Sequence, residues 1–181
     1  MIRYFLGKFT KNDVSALLAE IVSEEFMIQW GGFGFKWPLS EVQLTNLIES
    51  AEAPESGIKL LKLVEKPANR TAGHIEILRI DYTSKTAWLG RVLIYKELRN
   101  KGLGDILLNL TLDLLFLEME FKEVKLNVFD FNGSAFRCYQ RAGFAAGELQ
   151  KNSRKQGDRL YSHYCMSITR KEFLQKRNSS Q

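Results

Sequence analysis

The stretch 86–108, TAWLGRVLIYKELRNKGLGDILL, constrains this chain more than any other. It joins an apolar run over 87–95, strand-like in composition, to a strongly helical segment from about Gly102. Between them lies the charged turn Arg99-Asn100-Lys101-Gly102-Leu103-Gly104. Two glycines one residue apart let backbone come close to a ligand. The first turn of the helix that follows carries unpaired N–H groups at the positive end of its dipole, a place suited to phosphate. Two familiar phosphate motifs are excluded. A dinucleotide fingerprint fails because Leu107 stands where its third glycine belongs, and a P-loop fails because the only Gly-Lys pair, Gly7-Lys8, is followed by Phe9. Taken alone, the turn reads equally well as a hinge between strand and helix.

A chain of 181 residues, 45% hydrophobic and 12% aromatic, is sized for one core, so residues 1–181 read as a single domain with a possible loose tail over 170–181. No apolar run reaches the roughly 20 residues of a membrane span, and the first residues lack the pattern of a signal peptide, which points to a cytoplasmic protein. Cys138 and Cys165 form no disulfide framework or Cys-x-x-Cys site, and His74 and His163 stand alone, so no metal and reduced thiols are expected. The net charge of +5 is dispersed, concentrating only at 151–155 and 170–177, which reads as a solvated surface rather than a nucleic-acid footprint. The same excess suits a polyanionic cofactor.

Taken in order, the chain predicts a first strand at 2–7. A helix capped by Asn12 or Asp13 runs to Ile21, with Val14, Leu17, Leu18 and Ile21 at helical spacing. A glycine and aromatic segment, 24–40, precedes a helix from Ser40 to about Ser50. Strand-like runs at 58–64 and 73–80 form an antiparallel meander with the central strand. The helix after the glycine turn extends to about Phe121 with Leu107, Leu110, Leu114 and Leu117 on one stripe. A strand at 124–129 follows, then a short helix at 132–142 that Gly143 ends, then a closing hairpin from 144–149 and 159–168 around a charged loop.

The segment NVFDFNGSAFRCYQRAGF, 127–144, supplies a second motif. Asn132, Ala135 and Tyr139 share one helical stripe and can address one ligand. The turn pattern [RQ]-x-x-G-x-[GA], followed downstream by N-x-x-[AS]-x-x-[FL]-Y-x-x-x-G-F, resembles the GNAT superfamily of acetyl-CoA-dependent N-acetyltransferases, with Cys138 in place of the usual large apolar residue before the tyrosine. The resemblance covers roughly 73–168. It implies an α+β fold, a mixed and mostly antiparallel sheet of six to seven strands flanked by about four helices. It also implies acetyl-CoA as co-substrate, held by backbone of Val92, Leu93 and Ile94 along the thioester arm, by Arg99, Asn100, Lys101, Gly102, Leu103 and Gly104 at the pyrophosphate, and by Asn132 with Tyr139 near the sulfur. The acceptor implied is a primary amine of a small molecule or of a protein. A monomer and a homodimer both stay open, and so does a non-catalytic acyl-CoA-binding module on the same fold.

The chemistry sets three demands. An alkylamine of pKa about 10.4 costs about 4 to 5 kcal/mol to free of its proton at pH 7, so a base or water relay is needed. The developing oxyanion needs a donor, for which the family uses central-strand N–H, here Ile94. The leaving thiolate needs stabilisation, for which Tyr139 serves by hydrogen bonding, since outright proton transfer runs uphill by about 2 kcal/mol. Glu76 is the candidate base, with Asp81, Glu24 and Glu25 as others, and each of these also reads as a surface carboxylate. Trp30, Phe33 and Phe35 are candidates for the acceptor pocket, or equally a hydrophobic cover for the core.

Overall fold

The computed structural model describes residues 3–179. The first half runs β1 (Arg3–Lys8), α1 (Val14–Glu20), α2 (Glu24–Gly31), α3 (Glu41–Glu52), β2 (Lys59–Lys66), β3 (Arg70–Asp81) and β4 (Thr86–Ile94). The second runs α4 (Leu103–Asp113), β5 (Glu123–Phe129), α5 (Gly133–Ala142), β6 (Ala145–Gln156), β7 (Arg159–Thr169) and α6 (Arg170–Ser179). The predicted start of the first strand at Ile2 lies outside the described residues.

All seven strands join one sheet in the order β1-β2-β3-β4-β5-β7-β6. Every pairing is antiparallel except β4 with β5, which is parallel and short, linking only Thr86 to Leu89 with Glu123 to Leu126. Beyond Leu89 the two central strands part, leaving the C-terminal halves of both without a mutual ladder. Alternation along the strands sorts side chains onto two faces. Ala87, Leu89, Val124, Leu126 and Val128 pack with Leu107, Leu108 and Leu112 of α4 and with Phe173 of α6. The other face, toward β1 to β3, is covered by α1, α2 and α3 through Leu17, Met27, Trp30 and Leu44. Each of these fully buried leucines contributes about 2 kcal/mol.

Local expectations are refined or corrected. Asp13 is the N-cap residue of α1, one of the two candidates, but its carboxylate makes no cap bond to that helix: it accepts the Thr10 backbone N–H and hydroxyl at 2.9 and 3.0 Å across the 3-10 turn Lys11–Asp13. Asp13 is itself buried against Lys62 at 2.7 Å. Residues 24–31, the start of the glycine and aromatic segment, form α2 because Ser23 accepts the Phe26 N–H and caps it. The leucine stripe is rotated. Leu108, Leu112, Leu115 and Phe116 are fully buried, while Leu117 is 40% exposed. Leu103, Leu107, Leu108, Thr111 and Leu112 are buried at ordinary helical spacing, so the buried face is set ahead of the π-helical turn over Leu114–Glu118, which Met119 N–H on Leu114 O closes at the helix end. The charged loop of the closing hairpin is strand through Gln156, since an edge strand in water tolerates polar side chains and lysines there discourage further pairing. The tail over Arg170–Ser179 takes the helical of the two forms open to it and packs Phe173 against Phe116.

Candidate active site

A cleft of about 790 Å³ opens where β4 and β5 separate, lined by both strands, by the turn before α4, by α5 and by the loop after α2. At its α4 end, Gly102 adopts φ +74, a left-handed conformation that glycine takes without strain, and starts the helix. The first bond of that helix is Ile106 N–H on Gly102 O at 3.3 Å, so the N–H groups of Leu103, Gly104 and Asp105 have no helical acceptor. Gly102, Leu103 and Gly104 all line the cleft, as does Asn100, held at φ +60. Lys101 is exposed and is not part of the lining. The Arg99 side chain turns back from the turn. Its Nε donates to Ile94 O at 2.8 Å and its guanidinium pairs with Glu20 at 2.9 Å, over the Phe26 ring.

Along β4 the ladder to β3 is broken by a bulge. His74 pairs with Leu93 and Glu76 with Gly90, so Arg91 and Val92 stand together opposite Ile75, with Arg91 at φ +48. Past the bulge, Tyr95 N–H donates to Ala72 O at 3.0 Å. Alternation of the antiparallel ladder then turns both backbone groups of Ile94 away from β3, and its carbonyl is the one that Arg99 takes. Ile94 N–H therefore points to the parted side of the sheet, where Val92, Leu93 and Ile94 line the cleft.

The α5 stripe comes together as spaced in sequence: Asn132, Ala135 and Tyr139 all line the cleft. Asn132 also caps α5, its side-chain oxygen accepting Ala135 N–H at 3.3 Å. Tyr139 is 8% exposed, with its ring edge-on to Phe144 and its hydroxyl without a hydrogen bond among the described residues. Burial, with the neighbouring Cys138, pushes its hydroxyl well above the usual phenol range. Cys138 explains its own departure from the motif. A Cβ on Gly104 would lie 3.0 Å from its sulfur, so a small side chain here lets α5 approach α4. Burial and a hydrogen bond to Asp105 push its thiol up to about 12.

The opposite wall departs further from expectation. Trp30 is buried, its indole N–H donating to Arg91 O at 2.8 Å, and Phe35 stacks on it at 5.7 Å. Trp30 lines the cleft but Phe35 does not, so these two serve first to pin the glycine loop to the β4 bulge. Phe33 is 38% exposed, lines the cleft with Phe129, and packs edge-on against that ring and against Tyr161, which lies outside the lining. Glu76, read as base or surface carboxylate, is wholly buried. It pairs with Arg91 and hydrogen-bonds His74 Nε2 at 3.2 Å, and it does not line the cleft. Asp81 accepts the Thr83 and Ser84 N–H groups in the β3–β4 turn, and Glu24 and Glu25 are exposed on the first turn of α2.

His163 was not singled out by any motif. It lies opposite Phe129 in the β5–β7 ladder, hydrogen-bonds Ser153 through Nδ1 at 2.9 Å and lines the cleft. Burial, then the nearby Arg154 charge, holds its imidazole below the ordinary value. A lone histidine in a β-hairpin carries no local signal of such a position.

A sequence model of the acetyltransferase (GNAT) family matches residues 19–144. The chain is 30% identical over 107 residues to the SPbeta prophage-derived uncharacterized N-acetyltransferase YokL of Bacillus subtilis, a match covering 58% of this chain and 59% of that one. It is 36% identical over 76 residues to a spermine/spermidine N(1)-acetyltransferase of the same organism, covering 41% of this chain and 50% of that one. In fold it is similar to a spermidine N-acetyltransferase from Vibrio cholerae solved with CoA and spermine, with a TM-score of 0.82, 19% identity, and coverage of 94% of this chain and 98% of that one.

Proposed function

The chain belongs to the GNAT family of acetyltransferases, and on that premise we propose that it transfers the acetyl group of acetyl-CoA to a primary amine, of a small molecule or a protein, by direct attack in a ternary complex. One observation carries the reading: the unpaired N–H groups before α4, the outward N–H of Ile94 and the ring of Tyr139 converge on a single cleft between parted strands. That donor set fits an extended ligand with a diphosphate at one end and a carbonyl further along. When bound, acetyl-CoA supplies an acyl group activated as a thioester.

The residues then divide the work. Leu103, Gly104 and Asp105 present main-chain donors to the diphosphate. Ile94 N–H is placed to stabilise the negative charge that develops on the acyl oxygen, a contribution of about 3 to 4 kcal/mol for one well-aimed donor. The acceptor nitrogen forms its bond to the acetyl carbon as the carbon–sulfur bond breaks, and the thiol leaves with a proton. Tyr139, whose raised pKa keeps its hydroxyl protonated, donates a hydrogen bond to the departing sulfur. His163, held neutral near pH 7, accepts the proton that the amine sheds, directly or through water. Glu76 acts on this scheme only by fixing Arg91 at the bulge.

Spermine and spermidine, named for the relatives, belong in any acceptor panel. The test joins calorimetric titration of acetyl-CoA with thiol release over amines. Saturable uptake with amine-dependent thiol release is expected. No uptake even at millimolar acetyl-CoA overturns the reading, and uptake without release from any amine leaves a binding module.

A further inference from the structure

Four aromatic rings stand apart from both hydrophobic cores. Among the described residues, Phe33, Phe129, Phe131 and Tyr161 belong to neither cluster of buried side chains and pack on one another instead. Phe33, Phe129 and Tyr161 form a triangle with centroids 5.9, 5.4 and 5.5 Å apart, and Phe131 stacks on Phe129 at 5.2 Å. Strand pairing explains the meeting. Phe129 is paired with His163 across the β5–β7 ladder, so the two side chains share a face, and Tyr161, two residues before His163, shares it as well. Val128 goes into the core under α4, so that face is the opposite one. Phe129 lies three residues past Leu126, the last rung that β5 shares with β4, and so stands on the far side of the gap from β4.

Phe33 reaches these rings from the β4 side. Gly34 lets its loop lie against the Arg91 guanidinium, since a Cβ there would meet Nη2 at 2.5 Å, and the Trp30 indole N–H, near the end of α2, donates to Arg91 O. A loop anchored on β4 thus carries a ring that closes on β5 and β7, bridging the parted strands. Phe33 and Phe129 line the cleft together with His163, while Phe131 and Tyr161 back them from outside the lining.

A cover for the core would bury its rings. Here Phe33 and Phe131 are 38% and 54% exposed, and apolar surface left open at a concave site marks a place for an apolar partner. The charges in the cleft favour the same class. Among the described residues the one carboxylate in the lining, Asp105, is paired with Arg141, so nothing there balances a second ammonium group. Beside rings and arginines an amine also gives up its proton more readily than in water, which eases the first demand of the reaction. We propose that Phe33 and Phe129 form an acceptor subsite for an aromatic or alkyl tail, so that the enzyme selects primary amines with apolar tails over polyamines. A tail on the Phe129 ring keeps its amine on the face that carries His163. This rests on the acetyl-transfer reading.

The test compares thiol release with aralkylamines, alkylamines of rising length, diamines of matched length, spermidine and spermine, with methylamine as an amine too short to reach the rings. The highest kcat/KM is expected for aralkylamines, with each diamine below its alkylamine. F33A should raise KM for the best aralkylamine about tenfold, the loss of one aromatic contact, and F129L, which keeps an apolar side chain on the strand, about threefold. Both should leave acetyl-CoA affinity and methylamine turnover unchanged. L160A, exposed on the other face of β7, should behave as wild type. Calorimetric titration of the aralkylamine into the protein saturated with CoA should show the same losses without turnover. Higher kcat/KM for diamines or polyamines, or equal losses on methylamine, overturns the proposal and leaves acetyl transfer standing. So does a dimer in sedimentation that F33A dissociates while KM for the aralkylamine holds, because a second copy of the chain then covers the rings. Acetyl-CoA uptake with no thiol release from any amine overturns both.

Discussion

At Tyr139 the ring and the hydroxyl have separate tasks: the ring packs on Phe144 in the core, while the hydroxyl is left without a protein partner at the cleft. Tyr139→Phe keeps the packing and removes the donor. It is expected to lower kcat about 100-fold, as for loss of one positioned acid–base group, with acetyl-CoA affinity unchanged. Single-turnover kinetics beside calorimetry checks this, and equal loss in rate and affinity would reject the role. Tyr139 and Asn132 were legible because their spacing lies within one helix. Glu76 and His163 were not, since a carboxylate or imidazole on a strand goes to core or cleft according to pairing that its neighbours do not encode.

At the scale of elements, the site is made by irregularities in otherwise regular pieces. The β4 bulge turns Ile94 toward the cleft, and close strand approach at Gly73 permits it, since a Cβ there would meet Leu93 O at 2.5 Å and Ile94 Cδ1 at 2.9 Å. The first of these is backbone and cannot swing aside. Gly73→Ala is therefore expected to cost about 1 to 3 kcal/mol in denaturant unfolding and to weaken acetyl-CoA binding, by displacing the strand that carries Ile94. A stability loss with intact binding would separate the two effects. The glycine turn was readable from composition, because only glycine tolerates φ +74 at the start of α4. The bulges were not, and neither was the π-helical turn at the end of α4.

Over the whole molecule, charge is arranged rather than merely summed. The net +5 spreads over the surface, yet among the described residues one cleft gathers six arginines in its lining against a single carboxylate, Asp105. Two buried groups contribute to the dependence of stability on pH, beside the exposed carboxyls of Glu52, Asp81 and Glu172, which hydrogen bonds hold low. His163 has its pKa lowered from 6.5, so the unfolded chain binds its proton first, and stability is complete above about pH 6.5 and falls as pH drops through the shifted value. Asp13 is also lowered, from 3.8. Burial alone would raise it, but Lys62 and Thr10 outweigh that, so its contribution is lost at more acid pH. Urea unfolding across pH should show a loss beginning below about pH 6.5 ahead of the acid decline that the carboxyls share, and H163Q should remove that upper loss. An unchanged profile in H163Q would refute that assignment. Caps, the glycine turn, the α5 stripe and the family motifs were written locally, in contacts within a turn or two of helix. The burial of Glu76, the seating of Trp30 on the β4 bulge and the placing of His163 were chosen by strand order, register and bulges. These bring together residues far apart in the chain, and no neighbouring residue records that choice.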